Sequence, residues 1–209
     1  MAVVMVIIGV LTAVAIPNIS AYQAVEEAKS NVQIVASALR DARTRAVRTG
    51  RQFIVVFNPD PGEPNTIVRI IQDNNGDREE DAGDNVEDVT LARVRRAGVN
   101  PYGREVSPFP DATRATDTDP SNPEPALGNG DVPDGADFPD HFDLGVPAVG
   151  FTSAGLPFEV TPTTDAIEVG TGGGAYYMTD GRGAVFAAIL LPLGEVRVRA
   201  YDPTTDTWR

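Results

Sequence analysis

Cysteine is absent from this chain of 209 residues. That excludes disulfide staples, thiolate metal sites and a cysteine nucleophile. Histidine occurs once, at His141, with no partner histidine at metal-ligand spacing, so it reads as a surface residue. Lysine also occurs once, at Lys29, and every other basic side chain is arginine. Positive charge is scarce overall: the net charge of −13 argues against nucleic-acid binding, which needs a basic footprint. It favours a self-repelling, soluble surface and the binding of cations. The glycine run Gly170–Gly174 lacks the lysine and Ser/Thr of a phosphate loop and reads as a flexible turn. No serine stands in a nucleophile-elbow context. No catalytic constellation is visible, and the expectation is a protein that is not an enzyme.

What the chain does have is an unusual beginning. The first sixteen residues, MAVVMVIIGVLTAVAI, carry no charge, and Thr12 is their only polar side chain. After Pro17-Asn18 a second pattern sets in. Val25, Ala28, Val32, Val35, Leu39, Ala42 and Ala46 recur at alternating spacings of three and four, which puts them on one face of a helix. Glu26, Glu27, Lys29, Arg40, Asp41, Arg43, Arg45 and Arg48 fall mostly beside or opposite that stripe. Residues 1–49 therefore read as one helix in two halves. Residues 1–16 are apolar all round and the remainder is amphipathic. If continuous, it would be roughly 70 Å long. A cleaved secretory signal fits poorly, because no Lys or Arg precedes the apolar run and the helical pattern continues past it. The run is also shorter than the about 20 residues of a membrane span.

Residues 50–209 read as a β-rich head. Gly50 is a helix stop. RQFIVVF (51–57) and TIVRIIQ (66–72) are β-branched and aromatic enough for an antiparallel pair across Asn58-Pro59-Asp60-Pro61-Gly62. The helix stripe is expected to cover one face of that sheet. Val86 to Arg95 reads as a further strand, with Arg93, Arg95 and Arg96 as the tight basic cluster. GFTSAGLPFEV (150–160) reads as a hairpin, Ala166–Val169 as a short strand, and the segments flanking Asp180-Gly181-Arg182-Gly183 as a second hairpin. EVRVRAY (195–201) alternates cleanly, and Trp208 is expected to pin the terminus to the sheet. Between them, residues 100–148 are rich in proline and acid and poor in hydrophobics. Such a stretch cannot build its own core. It reads as a long surface excursion docked through Phe109, Phe138 and Phe142.

The loop DNNGDREEDAGD is the candidate ligand site. Asp73, Asn75, Asp77, Glu79, Asp81 and Asp84 occupy loop positions 1, 3, 5, 7, 9 and 12. Those positions supply oxygen ligands in a calcium-binding loop of the EF-hand kind. Three features depart from that pattern. Arg78 stands at position 6, where the sharp turn wants glycine. Asp84 replaces the usual glutamate. No second helix follows. The competing reading is a solvated acidic turn with Asn75-Gly76 at its tip. Calcium is thus the candidate cofactor, and none is strictly required.

VVMVIIGVLTAVAIPNISAY followed by an amphipathic helix resembles the N-terminal helix of type IV pilins and type II secretion pseudopilins, including Gly9, Pro17 and Tyr22. ASALRDARTRAVRTGRQFIVVF resembles the GspH/FimT-type branch of that superfamily. The resemblance implies an α+β, pilin-like fold in which the long N-terminal helix packs on an antiparallel β-sheet head. It also implies a structural subunit of an extracellular filament. Val3, Val4, Val6, Ile7, Val10, Leu11, Val14, Ile16 and Pro17 would form the filament core, and Val25, Ala28, Val32, Val35, Leu39, Ala42 and Ala46 would hold the head. The implied partners are copies of the same chain, the inner membrane before assembly, and a pilus or secretion assembly machinery. The implied location is the inner membrane and then the cell surface. Aligning on Gly9 and Pro17 places the family's usual glutamate just before Met1, with its basic leader, so the expectation is a start that falls inside a longer gene; the alternative is a subunit that works without that glutamate. Two other roles fit the same residues: a minor pseudopilin of a secretion or competence pilus, and a membrane-anchored calcium-binding module that does not polymerise.

Overall fold

In the computed structural model, Ala2–Thr49 is a single helix of 48 residues, α1. It runs through Pro17 without a break. A proline inside a helix forfeits one backbone hydrogen bond, a cost of about 3 kcal/mol that the rest of a long helix must offset. The helix stops at Gly50, whose left-handed φ of 69° lets its N–H close on the Ala46 carbonyl at 2.9 Å. Glycine adopts this conformation without a Cβ clash. The structure describes the backbone of residues 2–57, 65–95, 107–108, 136–179, 184–202 and 207–209, and side chains at 22–23, 25–57, 68–91, 138–178, 184–201 and 209.

The head is built of two antiparallel sheets. The first contains β1 (Gln52–Phe57), β2 (Asn65–Asp73), β3 (Asn85–Arg95), β6 (Ala148–Phe151) and β7 (Pro157–Phe158), in the order β3-β2-β1-β6-β7. The second contains β4 (Ser107–Pro108), β8 (Gly174–Thr179), β9 (Val185–Leu190), β10 (Val196–Asp202) and β11 (Thr207–Trp208), in the order β11-β10-β9-β8-β4. The short β5 (Ala136–Asp137) also pairs with β8. The α+β arrangement of one long helix with antiparallel sheet is present, and the sheet is divided in two. β1 sits at the centre of the first because Phe53–Val56 pairs on one side with β2 and on the other with Ala148–Phe151, beyond the acidic, proline-rich stretch.

Helix α1 lies against the inner faces of both sheets. Ala28, Val32, Val35, Leu39, Ala42 and Ala46 are fully buried, and Val25 is half-buried. They share one core with Phe53, Val55 and Phe57 of β1, Val68 and Ile70 of β2, Tyr176 and Met178 of β8, and Ala188 and Leu190 of β9. The strand residues between these point the other way. Ile54, Val56 and Ile71 join a second cluster behind the first sheet. Ala175, Tyr177, Ala187 and Ile189 form a third behind the second sheet. Burial on both faces explains why QFIVVF and VFAAIL read as unbroken apolar runs.

Arginines lash the helix to the head. Arg40 donates to the Val196 carbonyl at 2.8 Å. Arg43 donates to the Gly155 carbonyl at 3.0 Å and the Gly194 carbonyl at 2.8 Å. Arg45 pairs with Glu87 of β3 at 2.6 Å and with Asp41 at 2.6 Å. The two arginines of the LRDAR segment thus satisfy carbonyls in the β6–β7 and β9–β10 turns and at the start of β10. These carbonyls would otherwise have only water as a partner.

Among the described residues no helix is long and apolar enough to cross a membrane. The side chains of Val3, Val4, Val6, Ile7, Val10, Leu11, Val14, Ile16 and Pro17 lie outside the described residues, as do those of Arg93, Arg95 and Trp208, all of Arg96, and the docking residue Phe109. Phe138 is buried and stacks on Phe57 with ring centroids 4.5 Å apart. Phe142 is more open and stacks on His141. The segment expected as a short strand at Ala166–Val169 contributes only an isolated bridge, Phe158 to Val169. The glycine run Gly170–Gly174, expected to be a flexible turn, is a close crossing. A Cβ at Gly172 would stand 2.5 Å from the Phe158 backbone.

Candidate functional site

The β2–β3 connection, Asp73–Asp84, is the densest polar construction in the described residues. Its geometry follows from short acidic side chains competing for the backbone. Asp73 is buried to 3% exposure at the end of β2. One of its carboxylate oxygens accepts the Gly76 N–H, and the other accepts the Arg78 N–H at 3.1 Å. Asn75 Oδ1 accepts the Asp77 N–H at 3.1 Å, and Asp77 Oδ1 accepts the Glu79 N–H at 3.0 Å. Asp81 accepts the Gly83 N–H at 2.6 Å, and Asp84 accepts the Asn74 N–H at 2.9 Å. The bonds to carboxylate oxygens are stronger than the one to the neutral Asn75 amide, and together they hold the loop in a coil around its own carboxylates.

The amide of Asn75 stands at the centre. Its Nδ2 donates to Asp77 at 2.6 Å and to Asp81 at 2.8 Å. A neutral donor thus separates two carboxylates that would otherwise repel. Among the described residues no group of three or more His, Asp or Glu side chains is arranged to hold a metal ion. The reason is visible in the hydrogen bonds: the oxygens of Asp73, Asp77, Asp81 and Asp84 are turned onto N–H groups. Glu79 is exposed at loop position 7. A cation would need Asn75 to exchange its amide nitrogen for its oxygen.

Arg78 solves the problem that its place in the loop creates. It adopts a left-handed φ of 64°, alone among the described non-glycine residues. That conformation costs an L-residue about 1–2 kcal/mol. The side chain compensates. Nη1 donates to the carbonyls of Thr161 at 3.1 Å, Pro162 at 3.1 Å and Asp165 at 3.2 Å, and the guanidinium lies 6.0 Å above the centre of the Phe158 ring. The residue is 7% exposed. Arg78 is therefore a tethered cation that gathers the carbonyls of a second loop, residues 161–165. That loop borders an open hollow of about 420 Å³ lined by Glu159, Asp165, Glu168 and three threonines. No nucleophile–base pair lines it.

On the other flank, Arg69 of β2 bridges the loop to β3. It pairs with Glu80 at 3.0 Å and Asp88 at 2.7 Å. The hydrogen bond to Asp88 is the main reason its guanidinium is held even more firmly protonated than usual.

His141, expected at the surface, is buried to 1% exposure. It lies in the turn after β5, and its ring Nδ1 accepts the N–H groups of Asp143 and Leu144 at 3.2 and 3.3 Å. Its proton affinity is lowered, first by burial. The Arg78 backbone lies close enough to the ring to favour its charged form, so the histidine turn and the acidic loop touch, while Nε2 is buried without a hydrogen-bond partner. Sequence spacing looks for partner histidines, and here the partners are backbone groups. The lone histidine therefore gave no signal.

No family model, curated protein or solved structure matches the chain. The acidic loop, the Arg78 clasp and the helix seam therefore rest on their own geometry.

The clasp makes a prediction whose sign separates strain from attachment. Arg78→Gly removes the left-handed strain but leaves the carbonyls of Thr161, Pro162 and Asp165 without their donor. A net destabilisation on the order of 2 kcal/mol is expected in denaturant unfolding of the full chain in mild detergent. Stabilisation would show that the strain outweighs the clasp.

Proposed function

We propose that this chain is a structural subunit of a type IV pilus-like extracellular filament, polymerising through its apolar N-terminal helix. The observation that carries the reading is the division of α1. It is one helix of 48 residues; from Val25 to Ala46 its apolar stripe packs on the head, and ahead of that stripe the sequence carries an uncharged run. The portion before that, Ala2–Ala24, contains the uncharged run and spans about 35 Å at 1.5 Å per residue. A helix apolar on all sides needs burial on all sides. In this reading the first half is buried by lipid or by other copies of the same helix, and the second half by the head.

Both solvents are used in turn. The apolar segment waits in the inner membrane and is then drawn into a helical array, where the same side chains pack on neighbouring helices. One repeated head-to-tail interface gives an open polymer. The two-sheet head, lashed on by Arg40, Arg43 and Arg45, coats that core and faces water with its excess of acid. The role is structural rather than catalytic. A minor pseudopilin would use the same design in few copies, so abundance in the filament separates it from a main subunit.

The test is Val10→Asp in cells that express the chain. A carboxylate there would have to be buried without a partner, at a cost of several kcal/mol per subunit. Sheared surface fractions should contain no filaments of this chain, while the head keeps a cooperative unfolding transition. Normal filaments in that variant would contradict the reading.

A second reading, calcium binding by Asp73–Asp84, rests on the gathering of Asp77 and Asp81 about one point, the Asn75 nitrogen, and requires the loop's own hydrogen bonds to yield to the cation. Calcium takes six to eight oxygens at about 2.3–2.6 Å. Asp73, Asn75, Asp77, Asp81, Asp84 and a group of Glu79 would supply them once the Asn75 amide turns. Millimolar calcium should then raise the melting temperature of the full chain, and Asp77→Asn with Asp81→Asn should abolish the rise. An unchanged melting temperature in the parent chain would dismiss the site. A membrane-anchored module that never polymerises would give the calcium response and no filaments.

A further inference from the structure

We propose that the turn Phe138–Pro147 is an acid-labile cover over the outer face of the first sheet, with His141 as its latch. Leu144 and Val146 of this turn pack on the cluster of Ile54, Val56, Ile71, Ala148 and Val160, behind β1 and β2. The ends of the turn are tied to β6 and β1, with Ala148 N–H on the Pro139 carbonyl and Phe57 N–H on the Pro147 carbonyl, both at 2.9 Å, and its interior is closed by a smaller set. His141 N–H meets the Val146 carbonyl at 2.8 Å, Gly145 N–H meets the His141 carbonyl at 2.9 Å, and Asp140 bridges to Pro147. Phe142 N–H reaches the Val160 carbonyl at 3.3 Å. The imidazole completes the closure from within, through the Asp143 and Leu144 N–H groups that point at Nδ1.

That geometry fixes the protonation state. A ring nitrogen accepting two N–H bonds carries no hydrogen, so the ring is neutral with its proton on Nε2. Adding a proton would set an N–H against two N–H donors, break both bonds and place a charge in a site that is 1% exposed. The groups facing the ring are Asp143 in the same turn, Glu80 and the Arg78 backbone from the acidic loop, and the Phe142 ring stacked at 5.1 Å. The two carboxylates favour the charged ring, but Asp143 is exposed and Glu80 is already paired with Arg69. Burial outweighs them, and the ring protonates less readily than a free histidine.

The sign of the pH dependence follows. An opened turn exposes a histidine of ordinary pKa, about 6.5, while the closed turn resists the proton. The closed state keeps its full stability above that value and loses it as the pH falls from about 6.5 toward the lower pKa of the closed form. Acidification therefore lifts the cover, bares Ile54, Val56 and Ile71, and loosens the Arg78 end of the acidic loop. The inference is independent of the filament reading.

The experiment is hydrogen exchange by mass spectrometry on the full chain in mild detergent at pH 7.5 and 5.0, corrected for intrinsic exchange rates. Opening of residues 138–147 should rise by up to about 30-fold at pH 5.0, tenfold for each pH unit below 6.5, with β8–β10 unchanged. His141→Asn places an amide oxygen where Nδ1 stood, able to accept the same two N–H groups without titrating. Its opening should be flat with pH. Equal pH responses in the two proteins, or none in the parent, would overturn the latch. The NMR titration of His141, the only histidine in the chain, provides a check that needs no variant. Its Cε1–H signal should inflect below 6.5, and an inflection at or above 6.5 would overturn the proposal equally.

Discussion

The seam between α1 and the two sheets is the contact on which the rest of the head depends. It works by a division of volume. The helix contributes small side chains, Ala28, Ala36, Ala42 and Ala46 among them, with Leu39 and the valines between. The sheets contribute the bulk: Phe53, Phe57, Phe151, Tyr176 and Met178. An alanine seam lets the helix backbone come close, so large strand side chains reach past it and interdigitate as a close-packed interior requires. Interlocking of this kind fixes the helix in register. Arg40, Arg43 and Arg45 then hold that register at β10, at two turns and at β3.

Once the helix fills the space between the inner faces, the outer faces need their own cover. β1 and β9 are apolar on both sides, so neither sheet can leave its back to water. Behind the first sheet the chain uses loops rather than a second helix. Leu144, Val146 and Val160 lie over Ile54, Val56 and Ile71. Loops carry polar backbone, and burying them demands partners. Arg78 and His141 meet that demand, one by donating to carbonyls and the other by accepting from N–H groups. Arg78 and His141, two of the buried polar side chains, are adjacent for this reason: both serve the same cover.

The sequence shows most clearly what periodicity can express. The stripe from Val25 to Ala46 shows because each of its residues meets the same environment, and Gly50 shows because a left-handed C-terminus favours one residue type. The β1–β2 pair shows because its partners are neighbours in the chain. The second sheet pairing of β1 does not, since Ala148–Phe151 lies far along the chain and contact between distant segments leaves no local pattern. Arg78 looks like a defect at position 6 of a calcium-type loop. Its compensation lies in the carbonyls of residues 161–165, which no spacing rule connects to it. His141 looks like a surface residue for the same reason. Its partners are backbone N–H groups, and every residue except proline carries one. The acidic loop was legible as a pattern of oxygens, and its interior, closed by the Asn75 amide, was not.

The stripe Val25–Ala46 of α1 is packed by the head, and the uncharged run lies ahead of it in the sequence. The measurement that bears most directly on this division is cryo-electron microscopy of filaments sheared from cells that express the chain, with side-chain density read against the sequence. MAVVMVIIGVLTAVAIP should fill a helical core, with the two-sheet heads outside and α1 continuous between them. Filaments built from another protein, with this chain confined to the membrane fraction as a monomer, would contradict it.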